Sequence, residues 1–367
     1  TALIAKGAIT TLNHLATQDN TPEGQEYIAA AIFKISTSEA GRRDLIAKGA
    51  ITTLIHLAKK SNTPEGRANI AGAIANIAIS EAGITALIAK GAITTLNHLA
   101  TQDNTPEGQE CIAAAIFKIS TSKAGITALI ANRDMIRTLT TLANPNNTPR
   151  GLNYIELVFF NLSNSEAGIT ALIDNGGIDA LNHLATQDNT PEGQEYIAKT
   201  ITNIASTEAG ITALIDKGGI DALNHLATQD NRPRVQEYIA AAIINITKTK
   251  AGRRALIENR DIIRTLTTFA NPNNTPFGLS CIAIVIINLS RSEAGIEALI
   301  NAGAITTLNY LATQDNIPGV QEYSAAAINN IANTEAGRRA LIAKGAITTL
   351  NHLATQDNTP EGQECIA

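Results

Sequence analysis

The sequence contains no tryptophan, and aromatic residues make up only 3% of its 367 positions. Methionine occurs once and cysteine three times, at Cys111, Cys281 and Cys365. Thiols so few and so widely separated form no disulfide framework and fit a reducing compartment. No apolar run approaches the ~18 residues of a membrane span, and no segment reads as a secretory leader. Acidic residues outnumber basic ones, 33 against 28, for a net charge of −5. Basic residues are not clustered, which argues against a groove for nucleic-acid phosphates. The expected location is intracellular, in the cytoplasm.

What the chain has instead is repetition. The phrase "GAITTLNHLATQDNTPEGQEYIAAAIFKIS" at Gly7–Ser36 returns at Gly91–Ser120 with one change, Tyr27 to Cys111. Proline marks the register: Pro22, Pro64, Pro106, Pro149, Pro191, Pro233, Pro276, Pro318 and Pro360 follow one another at 42 or 43 residues. The copies run approximately 1–39, 40–81, 82–123, 124–166, 167–208, 209–250, 251–293, 294–335 and 336–367, and 1–367 reads as a single array. The chain begins within the phrase, at "TALIAKG", and stops within it, at "GQECIA". It therefore reads as an excerpt of a longer protein. A period near forty suits helical solenoids and propeller blades alike. The missing tryptophans, few aromatics and absent apolar–polar alternation remove the propeller.

Each copy carries three sets of helix signals. In "STSEAGRRDLIAKG" (Ser36–Gly49), Ser38 caps the start, Glu39 suits the positive helix end, and Gly49 closes the helix in a left-handed conformation. In "AITTLNHLA" (Ala8–Ala16), Ile9, Leu12 and Leu15 share a stripe. In "TPEG", Thr21 caps, Pro22 takes the first helical position, and the helix runs on to Ser36. A triplet of such short amphipathic helices cannot bury its apolar faces alone and must stack on its neighbours.

The stretch "EAGITALIDNGGIDALNHLA" (Glu166–Ala185) resembles the armadillo repeat, whose first two helices read E-G-x-x-x-I-x-x-x-G-G-I-x-x-L-x-x-L. The "FFNLS" at Phe159–Ser163 and "INLS" at Ile287–Ser290 resemble the L-x-N-L end of that family's third helix. The resemblance covers the chain. It implies an all-α, right-handed superhelical solenoid of about nine 42-residue, three-helix repeats, with third helices lining a concave groove that holds extended peptides.

On the third helix of the fourth copy, Ile155, Phe159 and Leu162 fall on the core side. Asn161 and Tyr154, two turns apart, fall opposite. Across copies the first of these outer slots holds Lys34, Asn76, Lys118, Asn161, Asn203, Asn245, Asn288 and Asn330. The second holds Tyr27, Asn69, Cys111, Tyr154, Tyr196, Tyr238, Cys281 and Tyr323. With helices packed about 8–10 Å apart and an extended chain rising about 3.3 Å per residue, one rung would serve about every third residue of a bound segment. Asn offers a donor and an acceptor, as a peptide bond does, and Tyr adds rigid contact area with a polar tip. The resemblance implies that Asn161, Asn203, Asn245, Asn288 and Asn330 clamp a peptide main chain, beside Tyr154, Tyr196, Tyr238 and Tyr323. An alternative remains: the Asn slot could bond a neighbouring helix end. The slot four residues before the Asn carries Trp in importin-alpha-type grooves. Here it reads Ala30, Gly72, Ala114, Leu157, Lys199, Ala241, Ile284 and Ala326, which argues against recognition of a basic import signal.

Copies four and seven carry one extra residue, in "ANRDMIRTL" (Ala131–Leu139) and "ENRDIIRTL" (Glu258–Leu266), and lose the glycine that ends the first helix. Both also place large apolar groups before the Asn, Leu157 with Val158 and Ile284 with Val285. Two readings are open: apolar anchors in the groove, or side chains that fill a gap left by tilted helices.

The six histidines all occupy one slot, a repeat apart, too distant to share a metal ion. Cys111 and Cys281 lie in the Tyr slot with no His on their helix to activate them. Glu23, Glu65, Glu107 and Glu192 sit at helix starts and suit the helix dipole. The triplets in "NNTP" and "NLS" are too short to assign glycosylation. No catalytic group, metal site or cofactor is expected. The expected function is a scaffold that binds an extended segment of another protein, without nucleic-acid or membrane partners. The alternative is a structural spacer or assembly module, an expanded or engineered array attached to an activity elsewhere. Oligomeric state is left open.

Overall fold

A computed structural model describes residues 6–60, 63–187, 190–229, 232–314 and 318–355. Pro360 and Cys365 lie outside the described residues. Among the described residues every regular element is an α-helix, and the helices follow one another in the triplets that the sequence pattern predicts. The second copy is representative: Glu39–Ala47, Ala50–Ala58 and Pro64–Ile77. No single helix among the described residues is long and apolar enough to cross a membrane.

The capping chemistry sets the ends. Thr21, Thr63 and Thr105 each accept a bond from the backbone N–H three residues on, with proline at the first helical position. Ser38, Ser80 and Ser122 do the same for first helices. Gly49 joins first to second helix at φ 75°, a left-handed conformation that glycine reaches without steric cost. In copies four and seven that glycine is replaced by a joint of one residue. Asn132 (φ −96°, ψ 90°) and Asn259 (φ −89°, ψ 81°) each serve as the end of one helix and the start of the next.

A second glycine answers to close approach instead. At Gly41, Gly83, Gly125, Gly168, Gly210, Gly252, Gly295 and Gly337 an added Cβ would overlap the carbonyl oxygen of the residue six positions back, at the end of the preceding third helix. The glycine of each "AG" pair is thus what lets the first helix leave the third at a sharp angle.

The contacts group the chain into two compact units, Thr1–Gly193 and Gln194–Ala367. In the first, the third helices Pro22–Ser36, Pro64–Ile77, Pro106–Ser120 and Pro149–Ser163 pack side by side, more extensively than any other helices there. In the second, Pro233–Thr247, Pro276–Leu289 and Pro318–Ala332 do the same. Leucine and isoleucine rows such as Leu54, Leu57, Ile70, Ile74 and Ile77 are fully buried between layers. Each such side chain contributes about 1.5–3 kcal/mol of hydrophobic stabilisation.

Polar staples cross the junctions. Thr63, Thr148 and Thr275 donate their hydroxyls to Glu26, Glu110 and Glu237 of the preceding third helix, at 2.5–2.6 Å. On the second helices, Asn13 Nδ2 donates to the Lys48 carbonyl and Asn13 Oδ1 accepts from Thr53, both at 2.7 Å. Asn309 repeats this with Lys344 and Thr349. The one-residue joint disturbs the pattern: Asn97 Nδ2 turns to Asn132 Oδ1 at 2.9 Å, and Asn97 Oδ1 is buried without a partner. It borders a cleft of about 540 Å³ lined by His98, Asp134 and Arg137 among others.

Candidate functional site on the third helices

The outer stripe of the third helices carries the Asn and Tyr slots, and the structure shows how each side chain is held. Asn76 Nδ2 donates to Ser36 Oγ and Asn161 Nδ2 to Ser120 Oγ, both at 2.9 Å. In the second unit, Asn288 Nδ2 donates to Thr247 Oγ1 at 2.9 Å and Asn330 Nδ2 to Ser290 Oγ at 3.1 Å. All four acceptors lie at the C-terminal end of the preceding third helix, Ser290 as its cap. Each hydroxyl gives its own proton to a carbonyl three residues back, those of Phe33, Phe117, Ile244 and Ile287, at 2.6–2.9 Å. A hydroxyl has one proton, so it must accept from the amide, and the network fixes which way the amide points. The tether takes one N–H of each of these four Asn and leaves the carbonyl oxygen and the second N–H of the amide to other partners. Asn161, Asn288 and Asn330 remain half-buried rather than enclosed.

The tether depends on a hydroxyl two residues after the slot in the preceding copy, a residue the sequence reading passed over. Where that position is Ala78, the next slot is Lys118 rather than Asn. Where it is Ala205, Asn245 finds other partners: its Nδ2 donates to the Thr202 carbonyl at 3.2 Å and its Oδ1 accepts from Lys248 Nζ at 2.6 Å. Asn203 is half-buried. The neighbouring-helix bond left open by the sequence is therefore present, and in Asn76, Asn161, Asn288 and Asn330 it uses one of the two N–H donors of the amide.

The tyrosines are also engaged. Tyr154 stacks on Phe117 of the preceding copy, centroids 5.5 Å apart and planes 21° apart, and its hydroxyl accepts from Arg150 Nε at 3.0 Å. Arg150 in turn lies 3.6 Å from Glu110. Tyr196 and Tyr238 flank the ammonium of Lys199. Tyr323 is half-buried, and Tyr27 is 72% exposed.

The four apolar candidates separate into two pairs. Leu157 and Ile284 are partly exposed, whereas Val158 and Val285 are fully buried. A residue three positions before the Asn lies about 60° around the helix from it. That rotation turns both valines into the interior, so they are corrected from groove anchors to packing residues.

Just beside the stripe, Glu156 occupies a slot that is alanine at Ala29, Ala71, Ala113, Ala198, Ala240, Ala283 and Ala325. It is 1% exposed. Asn153 Nδ2 lies 3.5 Å from its carboxylate, which fills the space a Cβ on Gly193 would need. Burial pushes its carboxyl up to about 8. The sequence signal was available, a charge in a slot otherwise held by alanine.

His14, His98, His183 and His225 are exposed, and no group of three His, Cys, Asp or Glu among the described residues is placed to hold a metal ion. Cys111 is half-buried and Cys281 buried. Burial, followed by the Glu237 carboxylate, pushes the Cys281 thiol up to about 12.

Triplets of short helices, stacked layer on layer within each unit and tied by hydrogen bonds at several junctions, define an all-α helical-repeat solenoid. Its fold is of the armadillo type. The chain superposes on a computationally designed armadillo repeat protein for modular peptide recognition with a TM-score of 0.56 at 22% identity, over 65% of this chain and 99% of that one. A designed armadillo repeat protein in complex with the peptide (KR)4 matches at 0.54 and 22%, over 65% and 98%. UNC-45 from Drosophila melanogaster matches at 0.59 and 17%, over all of this chain and 51% of that one. No family model and no curated protein matches the sequence.

Proposed function

We propose that the third-helix face of each unit is a scaffold surface that binds an extended segment of another protein. The observation that carries this reading is the fixed polarity of the amide rungs. Asn161, Asn288 and Asn330 are each held by one N–H, which leaves the carbonyl oxygen and the second N–H of the amide for a partner. A pre-oriented donor and acceptor on each rung match the two groups of a peptide bond and lose little entropy on binding. Two of the designed proteins with this fold are described as peptide-recognising or peptide-bound, which supports the same use here. The partly exposed Leu157 and Ile284 would add apolar contact.

The test is a peptide-library selection on the parent, followed by affinity measurement on Asn288→Ala with Asn330→Ala. A tenfold or greater loss in a variant with unchanged circular dichroism is expected. Ser120→Ala removes a tether and leaves the amide of Asn161 in place, and it should cost less affinity than Asn161→Ala. Absence of any binder, or equal affinity in the combined variant, overturns the reading. A second reading, a structural spacer, is favoured by the tethers themselves, since they bind copy to copy whether or not a partner exists.

A further inference from the structure

We propose that Tyr196, Tyr238 and Glu195 form a cation site on the third-helix face, and that Lys199 of the same chain is its resident occupant. Lys199 Nζ lies 5.3 Å from the ring centroid of Tyr196, on its own helix, and 4.9 Å from that of Tyr238, on the next third helix. Both distances are inside the ~6 Å within which an aromatic face attracts a cation. Glu195 Oε1 closes the site at 2.6 Å from the ammonium. The site is built rather than incidental. Arg234 holds Glu195 at 3.7 Å and donates to the Tyr238 hydroxyl at 3.3 Å, which fixes the carboxylate and the ring of the next helix. Thr202 Oγ1 shares its proton between the Ala198 carbonyl of its own helix at 2.8 Å and the Tyr238 carbonyl at 3.0 Å. Asn245 Nδ2 donates to the Thr202 carbonyl at 3.2 Å, so the two helices are tied together. The Lys199 side chain is only 18% exposed.

Lysine at this slot is an exception, since Ala30, Ala114, Ala241 and Ala326 stand there in other copies. The backbone therefore accepts a small residue, and the gap between the rings would be open with alanine. With lysine it is filled and its charge is neutralised. The consequence for binding rests on the scaffold reading above: this rung refuses Lys and Arg side chains of a bound segment, and Lys199 is the residue that sets that preference.

The site itself is testable without any peptide partner. The full chain, parent and Lys199→Ala, carries ¹³C-labelled tyrosine rings and is titrated with tetramethylammonium, with tert-butanol as the neutral probe of similar size. Saturable shifts of Tyr196 and Tyr238 are expected in Lys199→Ala, at least fivefold larger than in the parent, absent with tert-butanol and abolished by adding Tyr238→Leu. Lys199→Met keeps the aliphatic stem in the gap and should respond no more than the parent. No saturable shift in a folded Lys199→Ala protein, or an equal response in the parent, overturns the proposal. A cation response in a chain for which no peptide binder is found would leave the site standing and remove the scaffold reading.

Discussion

Replacing Glu156 by glutamine should change how the protein's stability depends on pH. The carboxyl is buried where every other copy has alanine, and its folded-state value is raised from 4.5 to about 8 by desolvation alone. Below pH 4.5 both the folded and unfolded chains hold the proton, and the group does not discriminate between them. As pH rises from 4.5 to 8 the unfolded chain releases the proton while the folded chain keeps it, so stability falls. Above pH 8 both release it and the loss levels off. Each full pH unit well inside the window is worth about 1.4 kcal/mol and less near its edges, so between pH 5 and pH 8 the parent should lose about 3.5 kcal/mol through this one group. Glu156→Gln preserves shape and cannot ionise. It should lie within about 1 kcal/mol of the parent at pH 5 and exceed it by about 4 kcal/mol at pH 8. Urea unfolding at pH 5, 6, 7 and 8, followed by circular dichroism, measures the difference. Parallel pH profiles for parent and variant, or a variant that gains at low rather than high pH, would show that the carboxyl is solvated and refute the reasoning.

Other outcomes follow from the same contacts. Gly125→Ala would drive a methyl into the Ile119 carbonyl oxygen and should destabilise the protein by more than about 3 kcal/mol, read from the urea midpoint. A double-mutant cycle on Asn161→Ala and Ser120→Ala should give a coupling of about 1 kcal/mol in stability, the worth of one intramolecular hydrogen bond. Iodoacetamide at pH 8 should modify Cys111 well before Cys281, which is 1% exposed, as peptide mass mapping would show.

Helix number, helix ends and stacking were legible because they rest on local chemistry. Thr21 with Pro22, Ser38 with Glu39, and Gly49 each act within one turn, and each does what its residue type requires. The outer stripe was legible for the same reason, since a helix turns by a fixed angle per residue. The same rule, applied one residue less loosely, would have placed Val158 and Val285 in the interior. What the spacing within a single helix did not show was the partner across the junction. The Ser120 hydroxyl that orients Asn161 lies 41 positions earlier, and its role emerges only when successive copies are compared two residues past the slot. Lys199 had been noted as a departure from tryptophan. That it fills the space between two tyrosines required knowing that adjacent third helices pack directly on each other. Glu156 reads as an ordinary helix acid until its seven alanine counterparts are shown to be buried.

The staples described above share one property with mechanical meaning. Thr63 to Glu26, Thr148 to Glu110 and Thr275 to Glu237 each tie a copy only to the copy before it. Under tension applied at its ends, a unit built this way should tear at an end and pass the load inward, one period at a time. Each tear would release 42 or 43 residues of slack, about 140 Å at full extension, so the trace of force against length would be a sawtooth with near-constant teeth.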